Sequence, residues 1–198
     1  MLCTYQRTDQ SLIRARGKSI NQKYLYILLM RYPDMFSKFF GFVSGGYYSH
    51  VSIGFSGLKG TFYSYVKKGF RKETPQEHPT FKEKEVPCRL YRVEISDEMY
   101  SVARAIISDH VKRALKLKYS IWGLVLCLLR IVYKKDNQYF CSQFVSEVLE
   151  KSKVVSLEKD SSLYLPDDFV KMKGLELGFS GYLSEFVNSY EPVVLMPA

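Results

Sequence analysis

Gln138-Tyr139-Phe140-Cys141-Ser142-Gln143-Phe144-Val145 opens an amphipathic run that continues to Lys151. Phe140, Phe144, Val145, Val148 and Leu149 fall on one face, a spacing that predicts a helix over 139–151, with Asp136-Asn137 as its cap. Cys141 then lies in the first turn. Unpaired backbone N–H groups and the positive end of the helix dipole favour a thiolate there. The same N–H groups can hold the oxyanion of a tetrahedral intermediate. An unpaired cysteine is more often a small buried hydrophobe. That description suits Cys88, at a strand start, and Cys127, inside an apolar run, while Cys3 reads as an exposed terminal thiol.

A thiol nucleophile needs a base, and His50 is the natural one. It follows Gly45-Gly-Tyr-Tyr-Ser49 and begins the alternating, β-branched stretch His50-Val-Ser-Ile-Gly-Phe-Ser56, a strand. An imidazole with its ordinary pKa near 6.5 can deprotonate a thiol near neutral pH. Of the other two histidines, His78 sits in a proline-flanked polar loop, and His110 falls near the apolar face of a long helix. A third group should orient the imidazole through its other nitrogen. Gly57-Leu-Lys-Gly60 is a turn and Thr61-Phe-Tyr-Ser-Tyr-Val66 the partner strand of a hairpin, offering Thr61, Tyr63, Ser64 and Tyr65. Ser64 is the expected third member, with Glu73, a little further on, as the alternative.

Around these residues the chain reads as one α+β domain over 1–198, with a polar leader at 1–22. Tyr24-Leu-Tyr-Ile-Leu-Leu-Met-Arg31 is a continuous apolar run, read as a buried strand. A short helix is expected at Met35–Val43, ended by Gly45-Gly46. Lys67 to Pro87 is charged and reads as an exposed connection, and Cys88 to Ile95 as a strand. Ser96-Asp-Glu starts a helix running to about Lys116. Ile121 to Val132 is apolar nearly all round and is expected to be a buried helix. Leu165-Pro-Asp-Asp-Phe169 is a further helix start, followed by an irregular or strand-like end.

Twenty-nine basic against 20 acidic residues give a net charge of +9, which favours anionic surroundings. No nucleic-acid-binding motif accompanies the charge, so a solvated basic face is the expected reading and a specific nucleic-acid partner is not. The four cysteines have no C-x-x-C spacing, and with three histidines a closed zinc site is not expected. Scattered thiols in a chain of 198 residues read as reduced, hence cytoplasmic. Met1 to Lys23 has no signal-peptide pattern, and the longest apolar run falls short of the roughly 20 residues of a membrane span.

Taken together, Tyr47-Tyr-Ser-His-Val-Ser-Ile53, Phe62-Tyr-Ser-Tyr65 with Gly69-Phe70, Tyr139-Phe-Cys-Ser-Gln-Phe-Val145 and Leu165-Pro-Asp-Asp-Phe169 carry a family likeness. They resemble the circularly permuted papain-like hydrolases of the NlpC superfamily, most closely the YiiX/YaeF branch related to lecithin retinol acyltransferase. The resemblance spans residues 24–172. It implies a small antiparallel sheet packed against the helix carrying the cysteine, with Cys141 as nucleophile, His50 as general base and the orienting residue at or beside Ser64. That family usually has His, Asn, Gln or Glu at that place. The activity it implies is that of a thiol hydrolase, a peptidase, amidase or acyl-ester hydrolase working through an acyl-cysteine without a cofactor. Small-molecule, peptide or lipid acyl substrates are all open. An acyltransferase, or a non-catalytic module of the same fold binding lipid or an anionic polymer, is the alternative. Peripheral contact with an anionic membrane or polymer fits either.

Overall fold

β1, Lys23–Met30, has Leu25, Ile27, Leu28 and Leu29 wholly buried, because both of its faces are covered. That double burial is why its sequence is continuously apolar rather than alternating. The computed structural model to which β1 belongs describes residues 22–32, 45–56, 60–75 and 85–188. Most of the expected leader, the Met35–Val43 helix, His78 and Cys3 lie outside the described residues.

β1 is flanked by β2, His50–Gly54, and by β5, Pro87–Ile95. With β3, Phe62–Val66, β4, Gly69–Glu73, and β8, Glu176–Tyr182, they form a six-stranded antiparallel sheet in the order β4-β3-β2-β1-β5-β8. The register sets Met30 between His50 and Cys88, so these three residues share one end of the sheet.

The expectation that Lys67 to Pro87 is all exposed connection is corrected by β4. Lys67-Lys68 form a tight turn between β3 and β4, and Val66 pairs with Gly69. Gly69 has φ +99°, and a Cβ there would run into the Leu117 carbonyl oxygen, so only glycine fits. As an edge strand, β4 buries Gly69 and Phe70 and turns Arg71 and Lys72 to solvent, which disguises it as a charged loop.

One sheet face is covered by α1, Asp97–Lys112, and α3, Cys141–Lys151. Ala103 and Ile107 of α1 and Phe144, Val145, Val148 and Leu149 of α3 pack with Leu25, Ile27, Leu29, Val51, Ile53 and Val93. Ser96 caps α1, its hydroxyl accepting from the Met99 N–H at 3.2 Å. The other face gathers Leu28, Met30, Phe62, Val86, Cys88 and Leu90 with Leu183, the first residue of α4, Leu183–Asn188.

The Ile121–Val132 run is also corrected. Its helix, α2, covers only Ile121–Leu128, and it lies at the periphery. Gly123, Leu124 and Cys127 are buried, the last two against Phe140, while Trp122 is 71% and Leu129 63% exposed. The space under the sheet is already filled by α1 and α3, so a third apolar helix can bury one side only. Among the described residues no helix is long and apolar enough to cross a membrane.

Candidate active site

Cys141 is the first residue of α3, preceded by Phe140 with extended backbone at φ −112° and ψ 167°. The Phe140 carbonyl accepts the first helical bond, from the Phe144 N–H at 3.1 Å. Asp136-Asn137 does not cap this helix. Asn137 has left-handed backbone, φ 58°, its side-chain oxygen accepts from Arg113 at 3.2 Å, and its carbonyl accepts from the Lys118 N–H at 2.8 Å. Gln138–Tyr139, β7, pairs in parallel with Lys118–Tyr119, β6, and this short ladder delivers the chain into α3. Among the described residues no side chain caps the N-terminus of α3, so its first-turn N–H groups can face an incoming oxyanion.

His50 opens β2 at the sheet end and is 4% exposed. The residues before it are tied down from three directions. The Ser49 N–H donates to the Met30 carbonyl at 3.0 Å, the Ser49 hydroxyl accepts from the Tyr32 N–H at 2.9 Å, and the Tyr48 N–H donates to Asp167 at 3.0 Å. Nε2 of the ring donates to both oxygens of Glu73, at 3.0 and 3.1 Å. That leaves Nδ1 unengaged by Glu73, and Cys141 lies close enough to the imidazole to help raise its pKa. Burial alone would push the ring below its ordinary pKa. The Glu73 carboxylate, helped by the nearby Cys141, more than reverses this and raises it to about 10. The imidazole is therefore held as its cation through neutral pH.

The side chain that meets the His50 ring is Glu73 and not Ser64. The β2–β3 ladder pairs Ile53 with Tyr63 and Gly54 with Phe62. Just beyond it the Ser64 hydroxyl donates to the Val51 carbonyl at 2.6 Å, extending the strand pairing, and it does not meet the ring. Glu73 ends β4, two strands away from β2, with a side chain only 10% exposed. Its sequence signal was the Lys67-Lys68 turn followed by Gly69-Phe70, which announces a strand; the charges after it hide where that strand ends.

The remaining candidates are occupied elsewhere. His110 is buried among Tyr65, Phe70, Tyr139 and Phe144, with Nδ1 accepting from the Tyr65 hydroxyl at 2.8 Å. Burial, and after it the Arg113 charge, lowers its pKa to about 4, so it is neutral where His50 is charged. Burial pushes the Cys88 and Cys127 thiols up to about 12, which keeps them protonated and unreactive. Among the described residues no three His, Cys, Asp or Glu side chains gather as a metal-ligand set. A cavity of about 450 Å³ opens at the His50 end of the sheet, lined by Tyr47, Tyr48, Arg89, Asp167 and Tyr182. No protein-family model matches the chain, and no curated protein matches it either.

Proposed function

We propose that the protein is a thiol hydrolase of the permuted papain-like type, acting on amide, ester or thioester carbonyls. Cys141 is the nucleophile, His50 the general base and acid, and Glu73 the group that orients and charges the imidazole. The single observation that carries the reading is the buried Glu73–His50 ion pair beside Cys141, which stands at a helix N-terminus.

In the reaction, Sγ attacks the substrate carbonyl carbon as the thiol proton resides on His50. The carbonyl oxygen becomes an oxyanion facing the uncapped N–H groups of α3. Collapse of this intermediate breaks the bond to the leaving group, which takes the proton from His50, and leaves an acyl-cysteine. Water then gives a proton to His50 and its oxygen to the acyl carbon. Release of the acid returns that proton to the pair. Glu73 remains a carboxylate throughout and keeps the ring in place.

Brief exposure to a p-nitrophenyl acyl ester tests this, with mass spectrometry of the cysteine peptides. The expected result is a burst of p-nitrophenol stoichiometric with enzyme and an acyl adduct on the peptide carrying Cys141, both lost in Cys141→Ala and His50→Ala. An adduct spread equally over the cysteines, or one that persists in His50→Ala, would refute the reading.

A further inference from the structure

We infer that α2 and the segments on either side of it form a docking surface for an anionic phospholipid membrane. The catalytic reading has no use for this surface, and the described residues leave it uncovered. Leu115 is fully exposed, Trp122 is 71%, Leu129 63%, Val132 56%, Ile121 55% and Ile131 50% exposed. The β6–β7 ladder ties together the two ends of the excursion that carries all of these except Leu115, which precedes it by three residues. Large aliphatic side chains and a tryptophan gathered in this way mark an interaction site rather than ordinary surface.

Charge decides what the partner is. Between Val111 and Lys135 there are seven Lys or Arg and no Asp or Glu, which accounts for most of the net +9 of the chain. Arg113 and Lys134 are paired with Asp109 and Asp160, whereas Lys112, Lys116, Lys118, Arg130 and Lys135 form no ion pair among the described residues. A polyanion such as nucleic acid would use the cations and leave the aliphatic side chains in water. A protein partner would need acidic groups of its own around an apolar centre. A bilayer containing anionic lipid answers both features at once: apolar side chains enter the boundary of the acyl chains, Trp122 sits at head-group depth, and the basic rim meets the surface charge. The helix itself is far too short to span, so the contact is peripheral.

Trp122 is the sole tryptophan of the chain, so its emission reports on this surface alone. The full chain is titrated with phosphatidylcholine vesicles, with and without about 30% phosphatidylglycerol. With the anionic vesicles, the emission is expected to shift to the blue and to be quenched by brominated acyl chains. Neutral vesicles should do neither, and about 0.5 M salt should weaken the effect. Leu115→Glu with Ile131→Glu, both at exposed positions and both sparing the probe, should lower partitioning at least about tenfold, and Lys116→Gln with Lys118→Gln should also lower it. Binding that leaves the Trp122 emission unchanged, or that survives these substitutions, would overturn the proposal. So would lipid-free protein that is already a dimer with blue-shifted emission, since the surface would then belong to a second copy. None of these readouts involves Cys141, so they stand apart from the catalytic reading.

Discussion

The difference between His50 and His110 is one of company. Both rings are buried, and burial disfavours the charge in each. His50 has a carboxylate and a thiol against it and is driven up; His110 has a tyrosine hydroxyl and aromatic rings and is driven down. Glu73→Gln keeps the shape of the site and removes the charge that holds His50 protonated. It is expected to slow alkylation of Cys141 by at least about tenfold. Ser64→Ala removes only the bond to the Val51 carbonyl, and should cost about 1 kcal/mol of stability while leaving alkylation within about twofold. Measuring both quantities on both variants separates the orienting group from the structural one.

At the level of elements, α2 and α3 differ both in sequence pattern and in how deeply they are buried. Phe144 of α3 is 1% exposed and meets the rings of Tyr65, Phe70 and His110, so Phe144→Ala should cost about 3–5 kcal/mol in urea unfolding. Trp122 of α2 is 71% exposed, and Trp122→Ala should stay within about 0.5 kcal/mol. Only α3 shows its buried face as a periodic stripe. The continuous apolar run of α2 carried no information about which side the protein would cover. The strands β1, β2, β3 and β5 were legible because alternation or double burial marks them. So were the places of Cys141 at a helix start and of His50 at a strand start. What escaped was β4, whose outward Arg71 and Lys72 mask it, and with it the reach of Glu73 across two strands. The start of α3 was also misread by two residues, because Asp136-Asn137 resembles a cap while the residue that serves is Phe140, held by backbone geometry alone.

For the molecule as a whole, the two histidines bend the pH dependence of stability in opposite directions. His110 is lowered to about 4, so between its ordinary 6.5 and 4 the unfolded chain binds the extra proton, and stability falls as the solution is acidified. His50 is raised to about 10, so its contribution is complete below 6.5 and is lost as pH rises towards 10. Stability from this pair is therefore greatest near pH 6.5. Thermal or urea unfolding across pH should trace that maximum, with His110→Gln flattening the acid side and His50→Gln the alkaline side. A profile whose two sides are unchanged by these variants would show that neither ring is perturbed as described.

The central claim is that Cys141 and His50 act as one unit, and alkylation with iodoacetamide at pH 6–7, read out for each cysteine, tests it most directly. The account predicts that Cys141 is labelled well ahead of Cys88, Cys127 and Cys3, and that the advantage disappears in His50→Ala. Labelling of Cys141 no faster than that of Cys3, or unchanged when His50 is removed, would contradict it.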